Sequence, residues 1–164
     1  MDDSRSAPEG QRRAYGMDEP AFLLAQIGGL AAARFAQRLE ALELSPAHAG
    51  VLRLIATSEG MSQRALADRL AILPARLVGI IDNLEQRGLV ERRRNPEDRR
   101  NHALYLTSEG FAMLSRLGRV AREHQEGMLK GLDAAERADL TRLLRRLAVE
   151  LALVRGVHPG FQNL

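Results

Sequence analysis

The stretch SQRALADRLAILPARLVGIIDNLEQRGLVERRRNPEDRRNHALYLTSEG, from Ser62 through Gly110, decides the fold. Ser62 is placed to cap a short helix from Gln63 to about Ala71 that buries Leu66 and Leu70. After Ile72 and Leu73, Pro74 opens a second helix that runs to Gly88. Proline favours the first helical position and glycine the position past the end. The inner stripe of this helix is Leu77, Ile80, Ile81 and Leu84. Its opposite face carries Ala75, Gly79, Asn83 and Gln86, with Arg76 on the flank. Two short helices around a tight connection predict a helix-turn-helix. The period then drops to two. Residues 89–94 read as a strand, 95–101 as a polar turn, and Ala103, Leu104, Tyr105 and Leu106 as a second strand. This is a hairpin with a basic tip, a wing directly behind the helix-turn-helix.

Helical patterns flank this unit on both sides. From Asp18, the residues Ala21, Leu24, Ala25, Gly28, Ala31, Ala32 and Phe35 recur at spacings of three and four. Ser45 and Pro46 mark the start of the next helix, whose apolar side holds Leu52, Ile55 and Ala56 and which Gly60 ends. After the wing, Thr107 caps a long helix with Leu114, Leu117, Val120 and Ala121 on its stripe. Asp133 and Glu136 have the spacing of a capping box for a last helix carrying Leu140, Leu143, Leu144, Leu147, Leu151 and Val154. These stripes exceed what one winged unit can cover, which predicts a dimer. The expected division is a disordered tail over 1–17, an N-terminal dimerisation helix over 18–44, the winged helix-turn-helix over 45–107, C-terminal dimerisation helices over 108–155, and a tail over 156–164. The fold class is all-α with a small two-stranded β-wing.

Composition narrows the function. Apolar residues make up 45% of the 164 residues, enough for a packed core, while aromatics at 4% leave that core to aliphatic side chains. The absence of cysteine excludes disulfides, thiolate metal sites and cysteine-based redox sensing. His48, His102, His124 and His158 lack metal-ligand spacing, so no metal or cofactor is expected. There is no apolar run for a membrane span and no signal-peptide pattern, so the expected location is the cytoplasm. No phosphate loop or nucleophile elbow points to an enzyme, and no catalytic residue is named.

What remains is nucleic acid. A helix fits the major groove, and small side chains let its backbone approach the base edges. Residues 92–100 hold five arginines against Glu97 and Asp98, a charge excess that suits the narrow minor groove. Ser62, Gln63 and Arg64 open the first helix of the pair, where free N–H groups can hold a phosphate.

The run Asp82-Asn83-Leu84-Glu85-Gln86-Arg87-Gly88-Leu89-Val90-Glu91-Arg92, with Asn95-Pro96-Glu97-Asp98-Arg99-Arg100 and Leu104-Tyr105-Leu106-Thr107-Ser108-Glu109-Gly110, resembles the MarR-type regulators. The resemblance covers about residues 18–155. It implies a homodimer whose first, fifth and sixth helices intertwine, two winged domains on a near-palindromic DNA operator, and release by a small anionic or phenolic effector. By the same resemblance Arg100 enters the minor groove and Asp98 fixes the wing's shape or orients an arginine; Arg99, between them, is placed to contact phosphate. The implied ligand pocket, between the dimer helices and the winged domain, would be lined by His48, Leu52, Met113 and Leu117. The recognition helix departs from the family's common Ser and Thr at its start. Here Ala75 and Arg76 stand there, with Gly79 and Asn83 further on, so Arg76 becomes the candidate for guanine readout, with a phosphate contact as its other use. The expected function is sequence-specific DNA binding, as a repressor. The alternative is a winged-helix interaction module without DNA binding.

Overall fold

The computed structural model describes residues 19–94, 102–154 and 156–158. The tail expected over 1–17 lies outside the described residues, as do the wing tip and residues 159–164 of the tail expected over 156–164. Among the described residues six helices and one hairpin follow in chain order. They are α1 (Pro20–Glu40), α2 (Pro46–Thr57), α3 (Gln63–Leu70), α4 (Pro74–Gln86), β1 (Val90–Arg94), β2 (His102–Leu106), α5 (Ser108–Leu129) and α6 (Ala134–Glu150).

The local start signals act as their residue types require. Ser62 Oγ accepts from the Ala65 N–H at 3.1 Å, and Thr107 Oγ1 from the Gly110 N–H at 3.0 Å. Asp133 and Glu136 form a reciprocal capping box, with bonds of 2.9 and 2.8 Å. Such caps satisfy amides that have no partner within the helix. The left-handed Ala71 (φ 52°) ends α3 and turns the chain into Ile72, Leu73 and Pro74. Gly88 (φ 66°) does the same after α4, which therefore stops at Gln86, two residues before the expected end.

β1 and β2 pair antiparallel, from Val90 opposite Leu106 to Arg94 opposite His102. A third segment joins them. The Gly60 N–H donates to the Leu104 carbonyl and the Leu104 N–H to the Met61 carbonyl, at 3.1 and 3.0 Å. Ser62 and Ala103 form a further bridge. The chain between α2 and α3 thus lies along the other edge of β2 and anchors the hairpin to the helix-turn-helix. By residue type Gly60 and Ser62 are helix ends, and no local signal in the sequence marks this pairing.

The core is aliphatic. Leu39 of α1, Val51, Leu52 and Ile55 of α2, Leu66 and Leu70 of α3, Leu77, Ile81 and Leu84 of α4, Val90 and Leu104 of the hairpin and Met113 and Leu117 of α5 form one cluster. Among the described residues no polar or charged residue is buried. The helices beyond this cluster are different. Every described residue of α6 is at least partly exposed, and so are Phe22, Leu23, Leu24, Ile27 and Leu30 of α1. No described helix is long and apolar enough to cross a membrane.

Candidate DNA-binding face

Helix α4 divides as its periodicity predicts. Leu77, Ile81 and Leu84 are buried, while Ala75, Arg76, Gly79, Asn83 and Gln86 are exposed on the opposite side. A Cβ added at Gly79 would meet nothing within 4 Å. Packing inside the chain therefore does not explain this glycine. Helix α3 packs on α4, and a cleft of about 360 Å³ between them is lined by Gln63, Arg64, Asp68 and Pro74. Ser62 is partly buried and serves as the cap, whereas Arg64 is exposed. Among the described residues no carboxylate pairs with Arg64 or Arg76, so both guanidinium groups face solvent. The structure thus places Ser62, Gln63, Arg64, Ala75, Arg76, Gly79 and Asn83 on this helix pair. Asp98, Arg99 and Arg100 lie outside the described residues.

The base of the wing corrects the charge count made from sequence. Arg92 reaches back to α4, where its guanidinium pairs with Asp82 at 2.5 Å and with Glu85. Its N–H also donates to Glu85 Oε1 at 3.3 Å. Arg92 is therefore a clamp that sets the wing against the recognition helix, and its charge is spent within the protein. A signal was available. Arg92 shares strand parity with the core-facing Val90, and Asp82 and Glu85 sit one turn apart on α4. Arg93 pairs with Glu91, and its guanidinium lies 4.5 Å above the centre of the Tyr105 ring. Arg94 is exposed and is not paired with any described residue.

A second contact escaped the sequence reading. Arg87, just past α4, donates to the carbonyls of Glu43 and Leu42 at 2.6 and 3.0 Å. It ties the end of the recognition helix to the turn between α1 and α2, where Glu43 has a φ of 53°.

His48 has a structural use. The Ser45 N–H donates to His48 Nδ1 at 3.2 Å, and the His48 N–H donates to Ser45 Oγ at 3.3 Å. The ring thus takes the place that Glu or Gln holds in the usual capping box. Leu52, Met113 and Leu117 are buried in the main cluster, and the cleft between α3 and α4 contains none of these four residues.

Burial, and then the charge of Arg87, hold the His48 imidazole below its ordinary value of 6.5. The folded chain therefore resists protonation more than the unfolded chain does. Its contribution to stability is full above about pH 6.5 and is lost as pH falls through the lowered folded value. The His48→Gln variant, which keeps the box, is expected to show a flatter fall in stability between pH 7 and 5. Urea titrations at both ends of that range measure it, and an unchanged slope would show that His48 carries none of it.

A helix-turn-helix with its outer face open, backed by a hairpin clamped onto the second helix, defines a winged helix-turn-helix DNA-binding regulator. Comparison with known proteins agrees. The MarR family profile matches residues 44–102. A protein assigned to regulation of the hcr operon in Thauera aromatica is 34% identical over 122 residues, 73% of this chain and 74% of that one. The transcriptional repressor CouR, solved bound to a 23-mer DNA duplex, superposes with a TM-score of 0.71 at 30% identity, covering 87% of this chain and 99% of that one. The wild-type MarR of E. coli in its apo form also gives 0.71, over 87% and 97% of the two chains, and at 24% identity it supports the fold alone. The chain belongs to the MarR family of transcriptional regulators. Membership sets aside both an enzyme and an interaction module without DNA binding.

Proposed function

We propose that this chain is a cytoplasmic, homodimeric repressor that binds a near-palindromic DNA operator and is released by a small anionic or phenolic effector. The observation that carries the DNA reading is the outer face of α4. It is exposed, holds small and polar residues around Gly79, and has at its start Arg76, which pairs with no carboxylate among the described residues, and Arg64 on the neighbouring helix. A backbone stripped of side chains at that point can lie close to base edges, and the two arginines suit guanine or phosphate. The exposed apolar side chains of α1 and α6 support the dimer, because surfaces of that kind are rare on monomers. Repression is the simplest outcome for a protein that covers a promoter. The exposed apolar residues of α1 and α6 support a division into a winged unit over 45–107 and dimerisation helices over 18–44 and 108–155, while Leu39, Met113 and Leu117 of those helices belong to the core cluster.

The test is titration of operator and scrambled DNA at two salt concentrations. Log affinity is expected to fall linearly with log salt, by about 0.9 per neutralised phosphate. Arg100→Ala should weaken operator binding by about 1–3 kcal/mol, and Arg76→Ala should relax the preference at one base per half-site. Gly79→Ala should leave the fold as stable or up to about 1 kcal/mol more stable, since alanine is the better helix former, while weakening operator binding. Half-sites should lie about one helical turn apart. If all three variants bind both DNAs as the wild type does, this face has no role in DNA binding.

A further inference from the structure

Helix α6 contributes nothing to the core of the single chain, since none of its residues is buried. Its angle to the winged unit is therefore set at its two ends. At the start, the capping box of Asp133 and Glu136 and the bond from Arg137 Nε to the Leu132 carbonyl, at 2.9 Å, fix the turn out of α5. A helix of 17 residues is about 25 Å long. A rod of that length held at one end alone swings by about 4 Å at the other for each rotation of about 10°.

The far end is held as well. The Leu153 N–H bonds back to the Ala148 carbonyl at 2.9 Å, and Ala152 is left-handed with a φ of 51°. The helix thus ends in a defined reversal. A second turn follows, from the Val157 N–H to the Val154 carbonyl at 3.1 Å, with Gly156 at a φ of 79° that glycine adopts freely.

These turns bring the chain back to α2. There Arg53, exposed between the buried Leu52 and Leu54, donates through Nη2 to the Gly156 carbonyl across 103 residues of sequence. Val157 is half-buried and packs against the core cluster. Residues 156–158, expected as the start of a tail, are instead a strap from α6 to α2. An exposed hydrogen bond from a long side chain adds little to global stability, because ordering that side chain costs about as much as the bond gains. Its effect is on position.

We propose that this strap, Arg53 with Gly156 and Val157, sets the angle of α6 against the winged unit and so the half-site spacing that the dimer accepts on DNA. One added base pair moves a half-site by about 3.4 Å along the duplex and turns it by about 35°. A swing of about 10° at α6 displaces its far end by a comparable distance. With α6 held at both ends the dimer accepts one spacing, and with one end released it tolerates the neighbouring ones. This role rests on the homodimeric operator reading, so the first measurement is made without DNA to keep the two apart.

The chain has no cysteine, so Glu59→Cys, at an exposed position between α2 and α3, gives one nitroxide label per chain. Double electron–electron resonance on the full-length protein then reads the distance between the two winged units. A single narrow distribution is expected with the strap intact, and a clearly broader one with Arg53→Gln or Val157→Asp. Arg53→Lys, which keeps a long cationic donor, should restore most of the narrow form. Without the label, the wild type should prefer one half-site spacing over its one-base-pair neighbours by about tenfold, and both variants by about threefold or less. The urea midpoint of Arg53→Gln should match the wild type. A narrow distance and an unchanged spacing preference in both variants would overturn the proposal, as would a lowered urea midpoint with the distance unbroadened, which would make the strap a stabiliser only. A labelled wild type that shows no interspin distance would overturn the homodimeric reading itself, and the role of the strap with it.

Discussion

Gly110→Ala is expected to remove about 3 kcal/mol or more of folding stability, at the upper end for a single added methyl group. A Cβ at Gly110 would stand 2.0 Å from the Leu89 carbonyl oxygen and 3.3 Å from Leu106 Cβ. The first clash is with backbone, which cannot swing away as a side-chain tip can. That backbone is also held in place. The Leu89 carbonyl accepts the Thr107 N–H at 3.2 Å, and Thr107 Oγ1 donates to the Gly88 carbonyl at 2.6 Å while it caps α5. The first turn of α5 is thus pressed against the start of β1, and relief of the clash would pull the helix off the wing. Gly118→Ala is the control. It lies in the same helix, where the nearest contact of a Cβ would be the flexible end of Arg122 at 3.5 Å. That change should be neutral or stabilise by up to about 1 kcal/mol. Urea denaturation of both variants checks the pair. A Gly110→Ala protein as stable as the wild type would show that α5 does not need this close approach.

The second large effect is expected at α6. Leu144→Glu combined with Leu147→Glu should convert the protein to monomers at micromolar concentration. Both leucines are more than 40% exposed in the single chain, beside Leu143. If the partner covers them, two carboxylates would be forced into an apolar interface, each at a cost of several kcal/mol. An obligate interface of this kind buries about 2,000 Å² or more, and two buried charges can exceed its net gain. Operator affinity should then fall by about 100-fold or more, because the second half-site no longer benefits from the high effective concentration of a joined partner. Sedimentation equilibrium reads the first effect and DNA titration the second. Helicity and the melting of the winged core should change little, since no residue of α6 is buried in the single chain. A double variant that remains dimeric would move the interface elsewhere.

Much of the fold was legible because its signals are local. Caps at Ser45, Ser62, Thr107 and Asp133 act across three residues, and their partners are neighbours in the chain. The inner stripe of α4 and the hairpin register follow from periods of 3.6 and 2. The candidate DNA-binding residues of α3 and α4 were legible for the same reason, since the face opposite a buried stripe is exposed. The pocket at His48 is what the family resemblance implies, whereas the cap that its ring makes with Ser45 is a finding of the tertiary structure.

The amino-acid sequence by itself determined the order and type of the elements, the outer face of the recognition helix and the aliphatic make-up of the core. Each rests on spacing along the chain or on composition. Tertiary structure alone decided the partners that meet across the fold. It turned Arg92 from one of the five arginines counted in the basic wing into the clamp on Asp82 and Glu85, and laid Gly60 to Ser62 along β2. It also joined Arg87 to Leu42, 45 residues away, and Arg53 to Gly156, 103 residues away. A charged side chain pairs with whatever carboxylate or carbonyl the packed helices bring within about 3 Å, and charge type alone does not name that group.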